Sequence, residues 1–355
     1  MKSTEKPLVN VITPVYNGEP FLAECIESVL AQTYTHWDYT LIDNRSNDGT
    51  LKIAQRYAAQ HPRIRVIRNP AHVGVIQNHN IAFRQISSNS KYCKVVHADD
   101  WLYPECIEKM VSLAETNPKI AIVGSYALFS RKPAIVGFAG LPYSCTIDRG
   151  GREACRMRLL GGPYVFGTAS TLLFRSDILR SRHAFYNESN IHADSEACFE
   201  FLGERDFGFV HQVLSFRREQ GGTTINFSQS FNTYLPGILL ELVKYGAKYL
   251  SKSEQETRIN AHLRDYYNYL GWEVYKFRER RFWDYHREKL AELGYPLSNA
   301  RIMRAAILNG LEVALNPKHA VEAAVRRLGS AFSKATRRRL EPHPATSSIS
   351  IVPNK

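Results

Sequence analysis

Several features are missing from this chain of 355 residues. It has no run of about 18 or more apolar residues, which a membrane-crossing helix needs. Its best apolar stretches, residues 238–243 and 305–315, are short, and Glu241 and Glu312 interrupt them. Residues 1–10 hold no long apolar core and no small-residue cleavage site, so a signal peptide is not expected. No CxxC pair exists; the six cysteines, at 25, 93, 106, 145, 155 and 198, are scattered. That spacing favours free buried thiols in a reducing compartment over disulfides or zinc. No GxGxxG follows a strand-like run and no GxxxxGK(S/T) occurs, so dinucleotide and P-loop sites are not expected. No internal repeat is visible.

What is present is ordinary for a folded protein: 44% hydrophobic and 23% charged residues. This excludes a mostly disordered chain and a collagen-like fibre. The length predicts two domains, or one large domain with an extension. The charge is uneven. Residues 1–230 carry 25 Lys and Arg against 22 Asp and Glu, whereas residues 231–355 carry 21 against 12. A basic tail can meet nucleic acid, an anionic membrane or solvent.

The first 130 residues alternate strand-like and helix-like segments. Strands are predicted at 8–13, 39–42, 64–67 and 92–96, and helices at 20–32, 51–60, 75–85 and 104–116, followed by an apolar run at 120–129. Such alternation implies βαβ units around a mostly parallel sheet covered on both faces. Later, 195–202 reads as a helix and 207–216 as a strand. From about Phe231 the pattern turns helical. Leu263, Tyr267, Leu270, Val274 and Phe277 repeat at the spacing of a helix–helix seam. Residues 317–340 are a second amphipathic candidate, and 341–355 read as a disordered end.

In an open α/β sheet, ligands bind at the carboxyl ends of the strands. Polar residues gather there in three places: Thr13-Pro14-Val15-Tyr16-Asn17-Gly18, Asp43-Asn44-Arg45-Ser46-Asn47-Asp48, and His97-Ala98-Asp99-Asp100. Each loop alone is also ordinary turn chemistry. Two carboxylates cannot bind a phosphate directly; they need a divalent cation between them. Asp99 and Asp100 offer hard oxygen ligands for Mg²⁺ or Mn²⁺, with substrate phosphates completing the shell. The competing reading of the pair is a helix N-terminus, where acids are also favoured.

Taken jointly, these three motifs resemble the family 2 glycosyltransferases of the GT-A fold, over roughly residues 7–225. The resemblance implies a nucleotide-diphospho-sugar transferase-like α/β sandwich over residues 1–230. A helical extension at 231–340, on the acceptor side or at a membrane surface, and a tail at 341–355 would follow. It implies nucleotide-sugar contacts from Pro14, Tyr16, Asn17, Asp43, Asn44, Ser46, His79 and Asp99, and a metal on Asp99 and Asp100. Asn44 stands where many members have a second Asp, which leaves the nucleobase open. Gly74 and Asn80 match the family's next segment, but His79 replaces a frequent Arg. Its role stays open between a reach to the diphosphate and a neutral core histidine. His97 replaces the usual first Asp of the metal motif.

Asp194, in Ala193-Asp194-Ser195-Glu196, falls at the place of the family's general base, with Glu196 in reserve and Phe216-Arg217-Arg218 downstream. Ala193 stands where Glu is usual, and capping of the helix at 195–202 is the alternative use of Asp194. The expected function is inverting transfer from a nucleotide-diphosphate sugar to a saccharide or lipid-linked saccharide acceptor in cell-surface polysaccharide biosynthesis. A non-catalytic module binding a glycan or a nucleotide sugar is the alternative. A cytoplasmic enzyme is expected, with a place on the inner face of the plasma membrane. Arg326, Arg327 and Arg337 to Arg339 beside Val325, Leu328 and Phe332 fit an interfacial helix on anionic lipid as well as a solvated basic face. No nucleic-acid partner is expected, because those basic residues are not interleaved with stacking aromatics.

Overall fold

The computed structural model describes residues 6–130, 135–137, 150–218 and 223–316. The amphipathic stretch at 317–340 and the tail at 341–355 lie outside the described residues. The chain divides into two units, Met1–His262 and Leu263–Lys355.

The first unit opens with the anticipated alternation: β1 (Val9–Val15), α1 (Leu22–Leu30), β2 (Trp37–Asp43), α2 (Thr50–Gln60), β3 (Ile64–Arg68), α3 (Val75–Arg84) and β4 (Tyr92–Val95). A short β5 (Trp101–Leu102), α4 (Cys106–Thr116), β6 (Ile120–Phe129) and β7 (Ile135–Gly137) follow. Next come α5 (Gly151–Leu159), β8 (Leu172–Arg175), α6 (Ser176–Arg180), α7 (Ala193–Phe201) and β9 (Asp206–Arg217). Helices α8 (Thr223–Phe231) and α9 (Tyr234–Tyr249) follow, then α10 (Lys252–Val274), α11 (Arg280–Glu292) and α12 (Asn299–Leu315).

Among the described residues, nine strands form one sheet in the order β3-β2-β1-β4-β8-β6-β9-β5, with β7 on β6. Strands β3, β2, β1 and β4 run parallel. All seven residues of β1 are buried, as a parallel strand covered on both faces must be. Strand β8 inserts antiparallel between β4 and β6, so the second half of the sheet is mixed, with β6 and β9 again parallel.

Buried polar groups pin the strand ends. Thr13 is fully buried, and its hydroxyl donates to the Val96 carbonyl at 2.8 Å and meets the Tyr39 hydroxyl at 2.8 Å. One side chain thus joins β1, β2 and the exit of β4. Lys94 is also fully buried; its ammonium donates to the Ser170 and Leu172 carbonyls. Burial holds its pKa below the usual lysine range, and the two carbonyls are what an interior ammonium needs. Lys94 thereby ties the segment before β8 to the sheet.

Helix α9 packs on α5 and α7. Its Lys244 donates to the Glu196 carboxylate of α7, which also accepts from Asn187 and Asn190. Burial raises the Glu196 pKa, but these donors outweigh it and leave it below the ordinary glutamate value.

In the second unit, Leu263, Tyr267 and Leu270 are buried as the seam predicts, together with Tyr266. Phe277 is not part of that seam. Helix α10 stops at Val274, and Phe277 takes a left-handed φ of 49°, with 92% of its surface exposed. Buried Glu273 holds both Lys276 and Arg278, which wraps the chain back before the heptad pattern can continue.

Two outcomes follow from these interior groups. Thr13→Val keeps the shape but removes the donor and acceptor, and urea denaturation should show a loss of about 1–3 kcal/mol. The Glu196 pKa is depressed in the folded state, so its clamp stabilises above the unfolded value of 4.5 and fades as pH falls below it. The melting-temperature gap between wild type and Glu196→Gln should therefore be widest near neutrality and should narrow under acid.

Candidate active site

The parallel register brings the polar loops to one edge. Val15 pairs with Asp43, and Asp43 with Arg68, so β1, β2 and β3 end level. Pro14 is buried within β1. Beyond it, Tyr16 is 46% exposed and its ring lies 4.3 Å from that of His72. Asn17 has a φ of 51°, a left-handed value that asparagine tolerates better than most residues. Its backbone N–H donates to Ser46 Oγ at 2.9 Å, and its Oδ1 accepts from the Asn47 N–H at 3.0 Å. The first two loops are therefore laced together.

Asp43 is fully buried. Its Oδ1 accepts from the Ser46 N–H at 3.1 Å and its Oδ2 faces Arg68 Nε at 3.2 Å. The Asn44 amide donates to the Val73 carbonyl and accepts from the Val73 N–H and from Asn69. Asn44 thus shapes the wall next to Tyr16 and His72 by holding Val73. Asn80 is likewise committed internally: it clamps Tyr186 through two 2.8 Å bonds to that residue's backbone.

The third loop carries a relay of imidazoles. His79 Nδ1 donates to the Val75 carbonyl at 2.9 Å, which leaves Nε2 to accept from His97 Nε2 at 3.1 Å. Burial and the neighbouring His97 push the His79 pKa down to about 3, so His79 is neutral. Burial lowers the His97 pKa too, but the hydrogen bond and charge of Asp100 reverse this and raise it. His97 Nδ1 lies 3.6 Å from Asp100 Oδ2. Asp100 is 3% exposed, and its Oδ1 accepts from the Arg218 N–H at 3.1 Å.

Asp99 is different. It is half-buried and has no side-chain partner among the described residues. Burial, and next the charge of Asp100, raise its pKa. A carboxylate in that position gains from a nearby cation. Among the described residues, no cluster of three or more His, Cys, Asp or Glu stands ready to hold a metal ion. A lone carboxylate of this kind would suit only an ion that takes most of its shell from waters and a bound ligand.

His97 and Asp194 line the same cleft of ≈ 630 Å³, together with Arg217. Asp194 sits in the first turn of α7, with one oxygen accepting from the adjacent Ser195 N–H. The reserve candidate, Glu196, points away into its clamp with Lys244 and Asn190.

The far wall holds residues that motif reading did not single out: Arg158, Tyr164, His192, Tyr234 and Glu241. Buried Glu241 accepts from Ser195 Oγ at 2.6 Å and pairs with Arg158 Nε at 3.3 Å. Burial raises its pKa despite Arg158. The Arg158 guanidinium lies over the Tyr164 ring at 4.9 Å. His192 Nε2 is 3.1 Å from the Thr233 carbonyl, and its ring is 4.9 Å from that of Tyr234. The one signal for this wall in the sequence is Glu241 itself, an acid in the middle of an apolar helical run.

The sequence and the fold both have counterparts among known proteins. Residues 10–181 match the family model described as glycosyl transferase family 2. The chain is 35% identical over 137 residues to the putative glycosyltransferase EpsE of Bacillus subtilis (strain 168), covering 38% of this chain and 49% of that protein. It is 29% identical over 144 residues to the putative teichuronic acid biosynthesis glycosyltransferase TuaG of the same organism, covering 40% and 56%. The chain thus spans about half the length of these relatives. Among solved structures, S. aureus TarS 1–349 in complex with UDP-GlcNAc superposes with a TM-score of 0.59 at 15% identity, covering 80% of each chain. Mannosyltransferase PcManGT from Pyrobaculum calidifontis, in complex with GDP-Man and Mn²⁺, gives 0.52 at 14% identity, covering 95% and 88%. The fold is that of these GT-A structures, and residues 10–181, just under half of the chain, match glycosyl transferase family 2.

Proposed function

We propose that this chain is an inverting glycosyltransferase that moves a sugar from a nucleoside-diphosphate donor to a saccharide or lipid-linked saccharide acceptor in cell-surface polysaccharide biosynthesis. The observation that carries the reading is the shared cleft. The acidic loop after β4 reaches it from one side through His97, and Asp194 reaches it from the other. A donor-side and an acceptor-side group thereby face one space. The names of TarS and PcManGT, with UDP-GlcNAc and with GDP-Man and Mn²⁺, support a nucleotide-sugar donor. The name of TuaG supports a surface-polymer product.

In this reading Tyr16 and His72 flank the nucleobase, with Pro14, Asn17, Asp43, Asn44 and Ser46 forming the floor and rim of the nucleotide pocket. His79 acts through His97, whose ring it orients. Asp99, with Asp100 behind it, would hold Mg²⁺ or Mn²⁺. When bound, such an ion supplies positive charge to the departing diphosphate.

Asp194 takes the proton from the acceptor hydroxyl. Its partnered oxygen fixes the carboxylate against α7, and the other is left for the incoming group. Attack from the face opposite the leaving group inverts the anomeric carbon. Glu241 and Arg158 hold the turn that carries Asp194, and the α9 side of the cleft keeps water from the acceptor. The enzyme works in the cytoplasm, attached peripherally to the inner face of the plasma membrane, where a lipid-linked acceptor would be met.

Two substitutions separate the roles. Asp194→Asn should lower kcat by at least about 10²-fold, while donor affinity in calorimetry stays within a few fold. A variant that keeps wild-type turnover removes Asp194 as the base. Asp99→Asn should abolish the Mn²⁺-dependent part of nucleoside-diphosphate binding. An unchanged titration with Mn²⁺ would take the metal away from this loop.

A further inference from the structure

Helix α12 has two apolar faces. Ile302, Ala306 and Asn309 are buried, and they face the second unit: Asn309 Nδ2 donates to the Asn268 carbonyl at 3.2 Å, and the Tyr275 hydroxyl donates to the Ala306 carbonyl at 2.6 Å. At 3.6 residues per turn, Met303, Ile307, Leu308, Leu311 and Leu315 fall on the opposite face. All five are more than half exposed. An apolar stripe of this length that the described residues leave uncovered marks an interaction surface.

The charge around the stripe selects its partner. Arg304 lies within the stripe and Arg301 at its edge, and both are exposed. Residues 317–355, which continue directly from this helix, carry eight Lys and Arg against two Asp and Glu. A second copy packed about a two-fold axis would bring Arg304 towards its own counterpart. The basic segment 317–340 has the same sign as Arg301 and Arg304, so it is a poor cover for them. An anionic bilayer suits every feature. The apolar side chains enter the boundary between headgroups and acyl chains, and the arginines extend to the phosphates. Tyr275, half exposed and bonded to Ala306, adds an amphipathic ring beside the stripe.

We propose that the outer face of α12, centred on Ile307 and Leu311, is a docking surface for anionic lipid. This gives a site to the membrane attachment expected above, and it is independent of whether the cleft transfers a sugar.

The test is sedimentation of the full chain with vesicles of phosphatidylcholine alone or with about 30% phosphatidylserine. The protein should pellet with the anionic vesicles, remain in solution with the neutral ones, and be released by added salt. Replacing both Ile307→Ser and Leu311→Ser should lower the partition coefficient at least about tenfold. Arg304→Glu, which changes only an exposed charge, should weaken it several-fold. Circular dichroism should match wild type in both variants. Failure of the wild-type chain to pellet with anionic vesicles overturns the proposal, as does pelleting that neither variant alters. A concentration-dependent dimer in light scattering that the same double substitution abolishes, with no vesicle binding, assigns the stripe to a second copy instead. Donor binding measured in parallel reads the cleft separately from the surface.

Discussion

One hydroxyl group sets the edge on which the cleft is built. Thr13 joins the ends of β1 and β2 to the exit of β4 in a fully buried position. In a parallel sheet the register decides which residues reach the carboxyl edge. A slip by one residue would part Val15 from Asp43 and take the Thr13 hydroxyl away from the Tyr39 hydroxyl and the Val96 carbonyl. A buried donor left without its acceptor is expensive, so the Thr13 network penalises any alternative register. Level strand ends are the condition for three loops to meet.

The cleft is a joint product of the matched domain and the chain after it. The family match ends at residue 181, yet Asp194, Arg217, Tyr234 and Glu241 all lie beyond it and line the same space. Glu241 of α9 reaches Ser195, next to Asp194. Lys244 of the same helix reaches Glu196, one residue further. Two successive residues after Asp194 are thus held by one helix, while Lys94 anchors the segment that passes beneath His97. The Ser170 hydroxyl completes this by accepting from the His97 N–H at 3.0 Å. Both sides of the cleft are fixed by buried polar bonds, which suits chemistry that depends on placement.

The strands and helices of the first 130 residues were legible because hydrophobic period and turn chemistry agree there. Predicted and observed ends differ by one or two residues at most sites, for example 64–67 against Ile64–Arg68. Strand β8 was harder. It pairs antiparallel with β4 across some 80 residues of sequence, and nothing local announces such a partner. Phe277 was misread because the seam spacing runs on past Val274, while the turn that ends the helix is made by Glu273 gripping Lys276 and Arg278. Neither Gly nor Pro marks it. Within the site, the loop motifs located the crevice, since turn residues beyond strand ends are a strong pattern. They could not show that Asn44 and Asn80 spend their amides on the backbone of Val73 and Tyr186. The α5 and α9 wall has no motif at all, because its residues come from two distant helices and meet only in the fold.

The exchange of a carboxylate for His97 changes the electrostatics of the acidic loop more than its shape. Three acids in that place would crowd three negative charges into a half-buried crevice. With His97 present, its imidazole lies against Asp100, whose negative charge raises the His97 pKa against the opposite effect of burial. The neutral His79 behind it spends its Nδ1–H on the Val75 carbonyl, so its Nε2 accepts from His97 and fixes which nitrogen of that ring points where. Asp100 is engaged twice over, by His97 and by the Arg218 backbone. The loop therefore presents one carboxylate, Asp99, that no other side chain among the described residues holds by a hydrogen bond. A single hard oxygen donor would favour an ion that arrives with its phosphates over one held permanently by the protein.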